Sequence, residues 1–182
     1  RIRVCNLSRH PNLAKIRDLF LIGCWTGLRF SDVIRLRSEH VGETMITIRQ
    51  QKTDNDVKIP IHPVFRQIWN KYGGQLPLII SNQKFNDHIK DVCKAARLRE
   101  KVLKSITKGG KRRTTSYEKW QLVSSHTARR SFATNLYRQG FPSIGIMSIT
   151  GHKTETAFLK YIKVGKEEHA EMLMKHWQKL SE

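Results

Sequence analysis

The longest apolar run of the chain, Leu19 to Trp25, lies inside a segment where Leu13, Ile16, Leu19, Phe20 and Cys24 recur at helical spacing. That periodicity predicts a buried helix over Asn12 to Trp25, and the remaining elements have to pack around it. Pro11 and Asn12 suit its start and Thr26-Gly27 its end. The run is interrupted by Gly23 and falls well short of the roughly 18 apolar residues that cross a bilayer. Ser31 reads as the N-cap of a second helix carrying Val33, Ile34 and Leu36. The period then changes from helical to alternating. Met45, Ile46 and Ile48 read as one strand, Val57 to Ile61 as another, and the polar residues 51–56 as the turn of a hairpin.

Helices are expected at about Pro63 to Tyr72 and Asn86 to Ala96, divided by Gly73-Gly74. Later ones are expected from Ser124-Ser125 to about Arg138, over Ser143 to Ile149, over Thr154 to Ile162, and over Lys166 to Leu180. The last has Met172, Leu173, His176, Trp177 and Leu180 as an apolar stripe. The expected fold is therefore mainly α with a small antiparallel β-sheet (α+β), one domain by length.

Charge narrows what such a domain can bind. Lys and Arg number 34 against 15 Asp and Glu, a formal net charge of +19, while 38% of residues are hydrophobic. The apolar content is too high for a disordered basic tail. An excess this large is tolerated when a polyanion neutralises it, and nucleic acid is the leading candidate. No basic amphipathic segment with exposed aromatics points to a membrane surface. Acidic residues are scarce and scattered, against a carboxylate-rich metal centre. Cys5, Cys24 and Cys93 are odd in number and far apart in sequence, against a disulfide framework or a Cys-type zinc site and for a reducing compartment. His169 and His176 lack metal-site spacing, so no metal and no cofactor is expected.

The most basic stretch, Arg97 to Lys119, holds Lys108, Lys111, Arg112 and Arg113 around Gly109-Gly110. It reads either as a solvated loop or as a basic hairpin lying along a phosphate backbone. Reactive groups sit at predicted element ends. Arg29 follows the first helix and Lys52 tips the hairpin. His126 and Arg129, three apart, share a helix face; His152 follows the breaker Gly151; Tyr161 comes nine residues later. Taken singly, each has an ordinary structural explanation, such as a solvated charge, a cap or a packed aromatic.

Their order is what resembles a family. Arg29 in TGLRFSD, Lys52 in QQKTDNDVKIPI, His126 and Arg129 in SSHTARRSFAT, His152 in TGHKT and Tyr161 in TAFLKYIK are similar to the signature of the tyrosine recombinases, or phage-type integrases. The likeness covers about Leu13 to Val164, and its wording is most similar to integrases of bacterial conjugative transposons. Arg130 departs from it mildly, since many relatives have a second His there; it joins Lys108, Lys111, Arg112 and Arg113 as an expected DNA contact. The start at Arg1 rather than Met reads as that of an excised fragment, without the family's amino-terminal core-binding domain.

The resemblance implies metal-independent cleavage and rejoining of double-stranded DNA through a covalent 3′-phosphotyrosine. Tyr161 would be the nucleophile, Arg29 and Arg129 would grip the phosphate oxygens, and His126 would help remove the phenol proton. Lys52 would protonate the leaving oxygen, His152 would donate to the phosphate, and Asp32 would be an acid orienting Arg129 or its neighbours from behind. Residues 1–165 would form the catalytic domain and 166–182 a helical tail, possibly docking on a neighbouring protomer. Work as a tetramer on DNA, with accessory DNA-bending proteins, in a bacterial cytoplasm at the nucleoid, is implied too. Type IB topoisomerase activity and a non-catalytic DNA-binding module are the alternatives.

Overall fold

The computed structural model describes residues 1–162 and 164–180; the side chains of Lys108, Lys166, Lys175, Lys179 and Leu180 lie outside the description. Two antiparallel hairpins stand among eight helices in the described residues, in agreement with the expected α+β class. The central helix α1 (Pro11–Thr26) begins on a proline, whose missing N–H costs nothing in the first turn. It ends at Gly27, whose φ of 65° allows its N–H to close the last turn on the Gly23 carbonyl at 3.1 Å. Ile16, Leu19, Phe20 and Ile22 of α1 are buried.

The one-turn helix α2 (Phe30–Val33) starts two residues earlier than an N-cap at Ser31 would have placed it, with Arg29 as its N-cap. Strands β1 (Met45–Arg49) and β2 (Asp56–Pro60) pair antiparallel and alternate strictly, with Ile46, Ile48, Val57 and Ile59 inward. Helix α3 (Pro63–Lys71) is capped by His62, whose Nδ1 accepts from the Val64 N–H at 3.1 Å. Helix α4 (Asn82–Ala95) begins four residues before the expected Asn86, because Ser81 supplies the cap and Phe85 the first buried anchor.

The basic segment 97–119 is a hairpin, β3 (Lys101–Lys108) paired with β4 (Lys111–Glu118). Gly109 and Gly110, with φ of 57° and 72°, form the tight turn that needs positive φ at both central positions. Helix α5 (Ser125–Arg138) follows a short 3₁₀ turn at Lys119–Leu122. Then come α6 (Ser143–Thr150), α7 (Glu155–Ile162) and α8 (Lys166–Leu180). No helix among the described residues is long and apolar enough to cross a membrane.

The apolar interior falls into two clusters. The larger gathers α1, both strands of the first hairpin, α3 and α4; the smaller gathers Phe132, Ala133, Ile146, Met147, Phe158 and Ile162 from α5, α6 and α7. Helix α5 joins them, since Ala128 belongs to the first and Phe132 to the second. It lies so close to α1 that a Cβ at Gly23 would stand 3.1 Å from that of Ala128. The cysteines, distant in sequence, are neighbours in this interior. Burial, with Cys93 close by, pushes the Cys24 thiol up to about 12. Burial, with Cys5 close by, does the same to Cys93.

Asp18 is buried and ionised. Desolvation pushes its carboxyl up, but hydrogen bonds from Lys71 (2.7 Å), Arg17 (2.9 Å) and Tyr72 (2.9 Å) outweigh that and hold it below the usual carboxylate range. Its contribution to stability is therefore complete above the unfolded carboxylate pKa, near 4, and is lost as pH falls through the lower folded value.

Gly27 connects this fold to the neighbouring Arg29. A Cβ there would stand 2.4 Å from the Phe132 ring, on a backbone that L side chains resist. Gly27→Ala should cost about 3 kcal/mol, read as a lower urea midpoint; an unchanged midpoint would contradict the packing described.

Candidate active site

Arg29, Lys52, His126, Arg129, His152 and Tyr161 line one cleft of about 590 Å³. Five separate elements deliver them: the start of α2, the tip of the first hairpin, α5, the turn after α6, and α7. Arg129 is buried on α5 and is held by two main-chain carbonyls. Its Nη1 donates to Gly27 at 2.6 Å and its Nη2 donates to Thr150. These are the carbonyls at the ends of α1 and α6, so the guanidinium fixes the two clusters against each other. Burial and the nearby Arg29 lower its pKa to about 10, which still leaves it cationic at neutral pH.

Arg29 is placed by Gln50, a residue that is fully buried. The Gln50 Oε1 accepts from Arg29 Nη1 and from Thr53 Oγ1, both at 2.9 Å, while its Nε2 donates to the Ile149 carbonyl at 2.6 Å. Gly151 leaves room for this arrangement, because a Cβ there would meet Gln50, Thr53 and Arg29 at 3.2–3.5 Å. Asp32, expected to orient Arg129 or its neighbours, makes no hydrogen bond to Arg129 itself. Its Oδ1 accepts from the Gln51 N–H at 2.8 Å, which tethers the Lys52 turn, and its buried Oδ2 has no partner. Its charge still lies close enough to favour the Arg129 cation. Lys52 itself is exposed at the hairpin tip.

Tyr161 meets two imidazoles, His126 edge-on at 5.0 Å and His152 at 4.7 Å between centroids. Its hydroxyl is buried without a hydrogen-bond partner of good geometry. Burial raises its pKa, while Arg129, Arg130 and Arg29 pull the other way without prevailing. Burial, followed by the surrounding guanidiniums, lowers the pKa of both His126 and His152, so each is neutral at pH 7.

The His152 tautomer follows from its partner. Thr150 donates its single hydroxyl proton to the Ile146 carbonyl at 2.8 Å, so the Nδ1 of His152, 2.8 Å from that hydroxyl, must be the donor. The Nε2 of the neutral ring is then an acceptor. A neutral acceptor imidazole on either side of a buried phenol, with two fixed guanidiniums beside it, is suited to deprotonating the phenol next to a bound anion.

The expected DNA cations divide. Strand alternation puts Lys111 and Arg113 on one face of the second hairpin and Arg112 on the other, where its Nη2 lies 3.5 Å from Ser105 Oγ. The side chain of Lys108 lies outside the described residues. Arg130 is beside the cleft residues rather than on the hairpin, with its Cζ 5.4 Å from the Tyr161 ring centroid. Among the described residues no group of three or more His, Cys, Asp or Glu is arranged to hold a metal ion. Sequence reading missed Gln50 and Thr150, which position Arg29 and His152. Neither carries a local pattern; burial alone marks them out.

The chain matches the family described as "Phage integrase family" over residues 3–168. Among solved structures, one similar chain is XerA recombinase, with a TM-score of 0.64 and 20% identity, covering 93% of this chain and 60% of that one. The Tn1549 transposon integrase, in complex with circular intermediate DNA, gives 0.57 and 16%, covering 88% and 57%. A lambda integrase dimer bound to a COC′ core site gives 0.58 and 17%, covering 82% and 52%. No curated protein sequence matches. The chain thus spans about three fifths or less of the solved chains it resembles here.

Depressed imidazole values have a direct consequence. In an NMR titration of the ring protons, His126 and His152 should both pass midpoint below 6.5, neutral above it. A midpoint above 6.5 for either would contradict the cationic surroundings described.

Proposed function

This chain belongs to the phage integrase family, and we propose that it is the catalytic part of a site-specific DNA recombinase that integrates or excises a mobile element. The observation that carries this reading is the convergence of six side chains from five elements on one cleft, with a buried phenol beside two guanidiniums. A phosphodiester is an anion that repels nucleophiles, and attack adds charge to its non-bridging oxygens. Arg29 and Arg129, permanently charged and preorganised, offset that charge as it develops.

The Oη of Tyr161 attacks phosphorus while its proton passes to a neutral imidazole, His126. The bond to the 5′-oxygen breaks, Lys52 protonates that oxygen, and a 3′-phosphotyrosine remains. A 5′-hydroxyl from another strand attacks the adduct in reverse and releases Tyr161, so no external energy source is required. His152, whose Nε2 is an acceptor in the free protein, becomes a donor to the phosphate once the anion raises its pKa and it takes up a proton.

Binding is to double-stranded DNA. Lys111 and Arg113, sharing a hairpin face, contact the phosphate backbone, with Arg112 and Lys108 adding charge at the same tip. Residues 1–165 act as the catalytic domain. The tail, whose α8 exposes Leu173 (47%) and Met174 (52%), docks on a neighbouring protomer within a DNA-bound tetramer. Helix α8 is anchored to its own chain at its start, by the ion pair of Glu168 with Arg138 and by His169 against Tyr137. Accessory DNA-bending proteins and a bacterial cytoplasmic, nucleoid-associated setting complete the reading.

Trapping on nicked half-site DNA should give a covalent complex whose modified residue maps to Tyr161. Tyr161→Phe should bind the same DNA and form no adduct; an adduct with that variant would exclude the assignment. Affinity should fall roughly 10³–10⁵-fold between about 50 and 200 mM salt if 6–10 phosphates are contacted, and salt-insensitive binding would argue against DNA as the partner.

A further inference from the structure

Two observations separate Arg130 from an ordinary DNA-contacting arginine. Its guanidinium carbon lies 5.4 Å from the centroid of the Tyr161 ring, within the range of a cation–π contact. Its Nε is buried and has no hydrogen-bond partner. Arg130 has withdrawn one donor, with the ring of Tyr161 in contact.

We propose that Arg130 is a positioning residue for the nucleophile: lying over the Tyr161 ring, it braces the phenol toward Arg129 and adds a cation that favours the phenolate. It acts through Tyr161 and does not touch the reacting atoms. The inference rests on the recombinase reading above, since it needs Tyr161 to be the attacking group.

The helix geometry makes the contact available. His126 and Arg130 are four apart on α5, so both project from one face, and both meet the ring of Tyr161 on α7. The charged and titratable groups facing Tyr161 are then His126, Arg129 and Arg130 from α5, His152 from the turn after α6, and Arg29 from the start of α2. Burial raises the phenol's pKa, and Arg130 is one of three cations that oppose it. The imidazoles are neutral and contribute no opposing charge near pH 7.

The test replaces Tyr161 by difluorotyrosine, whose lower intrinsic pKa brings ionisation within the range where the protein is folded, and follows the ¹⁹F shift with pH in the absence of DNA. Arg130→Gln should raise the midpoint by about half a pH unit, the size expected of one exposed-to-half-buried cation–π contact. Arg130→Lys, which keeps the charge and loses the planar group, should recover most of it. With the natural tyrosine, single-turnover adduct formation by Arg130→Gln on saturating DNA should be about threefold slower at neutral pH, the rate equivalent of that shift. Should Arg130→Gln fail to fold, Arg130→Met carries the same comparison. An unchanged midpoint in a folded variant, with lower DNA affinity and a salt slope reduced by about one charge, would make Arg130 a phosphate contact and overturn the proposal. The ¹⁹F titration uses no DNA. A normal midpoint shift without covalent trapping would therefore fail the recombinase reading and leave the contact standing.

Discussion

The buried guanidinium of Arg129 is the point on which fold and site both depend. Taking a cation out of water is costly unless its donors are satisfied, and here the carbonyls of Gly27 and Thr150 do that. Those carbonyls sit at the ends of α1 and α6, which belong to different apolar clusters. The same bonds that let Arg129 be buried therefore fix the seam between the clusters, and the cleft is that seam. Both helices end there on glycines with positive φ, Gly27 and Gly151, so each chain reversal leaves its last carbonyls available to a side chain.

What surrounds Arg129 is electrostatically unsatisfied. Arg29 stands close enough to depress its pKa, both imidazoles are kept neutral by burial and by the guanidiniums, and the buried Tyr161 hydroxyl makes no hydrogen bond of good geometry. The first two of these costs are relieved by one event, the arrival of an anion between the cations. A phosphodiester would pair with Arg29 and Arg129 and raise the imidazole pKa values.

Much of this was legible in the sequence. Helical spacing located α1, and alternation located the first hairpin with Ile46, Ile48, Val57 and Ile59 inward. The six reactive residues were visible as an ordered set, and they do converge. What stayed hidden depends on tertiary contacts. Gln50 looks like any polar residue at a strand end, yet it is fully buried because it bridges Arg29 and the Ile149 carbonyl. Asp32, read as orienting Arg129 or its neighbours, ties down the Lys52 turn through Gln51, a contact set by tertiary packing. Lys111, Arg112 and Arg113 look like one basic run, and strand alternation splits them across two faces. Arg130, grouped with the DNA cations, lies over the Tyr161 ring, a pairing between helices α5 and α7 that no local pattern reveals.

If Arg29 and Arg129 are there to neutralise a phosphodiester, their need should vanish when the phosphodiester carries no charge. Cleavage by Arg29→Ala, compared on an ordinary DNA substrate and on one with a methylphosphonate at the scissile position, measures this directly, because Arg29 is the less buried of the two and its loss leaves the Arg129 seam intact. The variant should be inactive on the phosphate and form adduct on the neutral methylphosphonate. A folded Arg29→Ala protein that is equally inactive on both would contradict the charge-neutralising role at the centre of this structure.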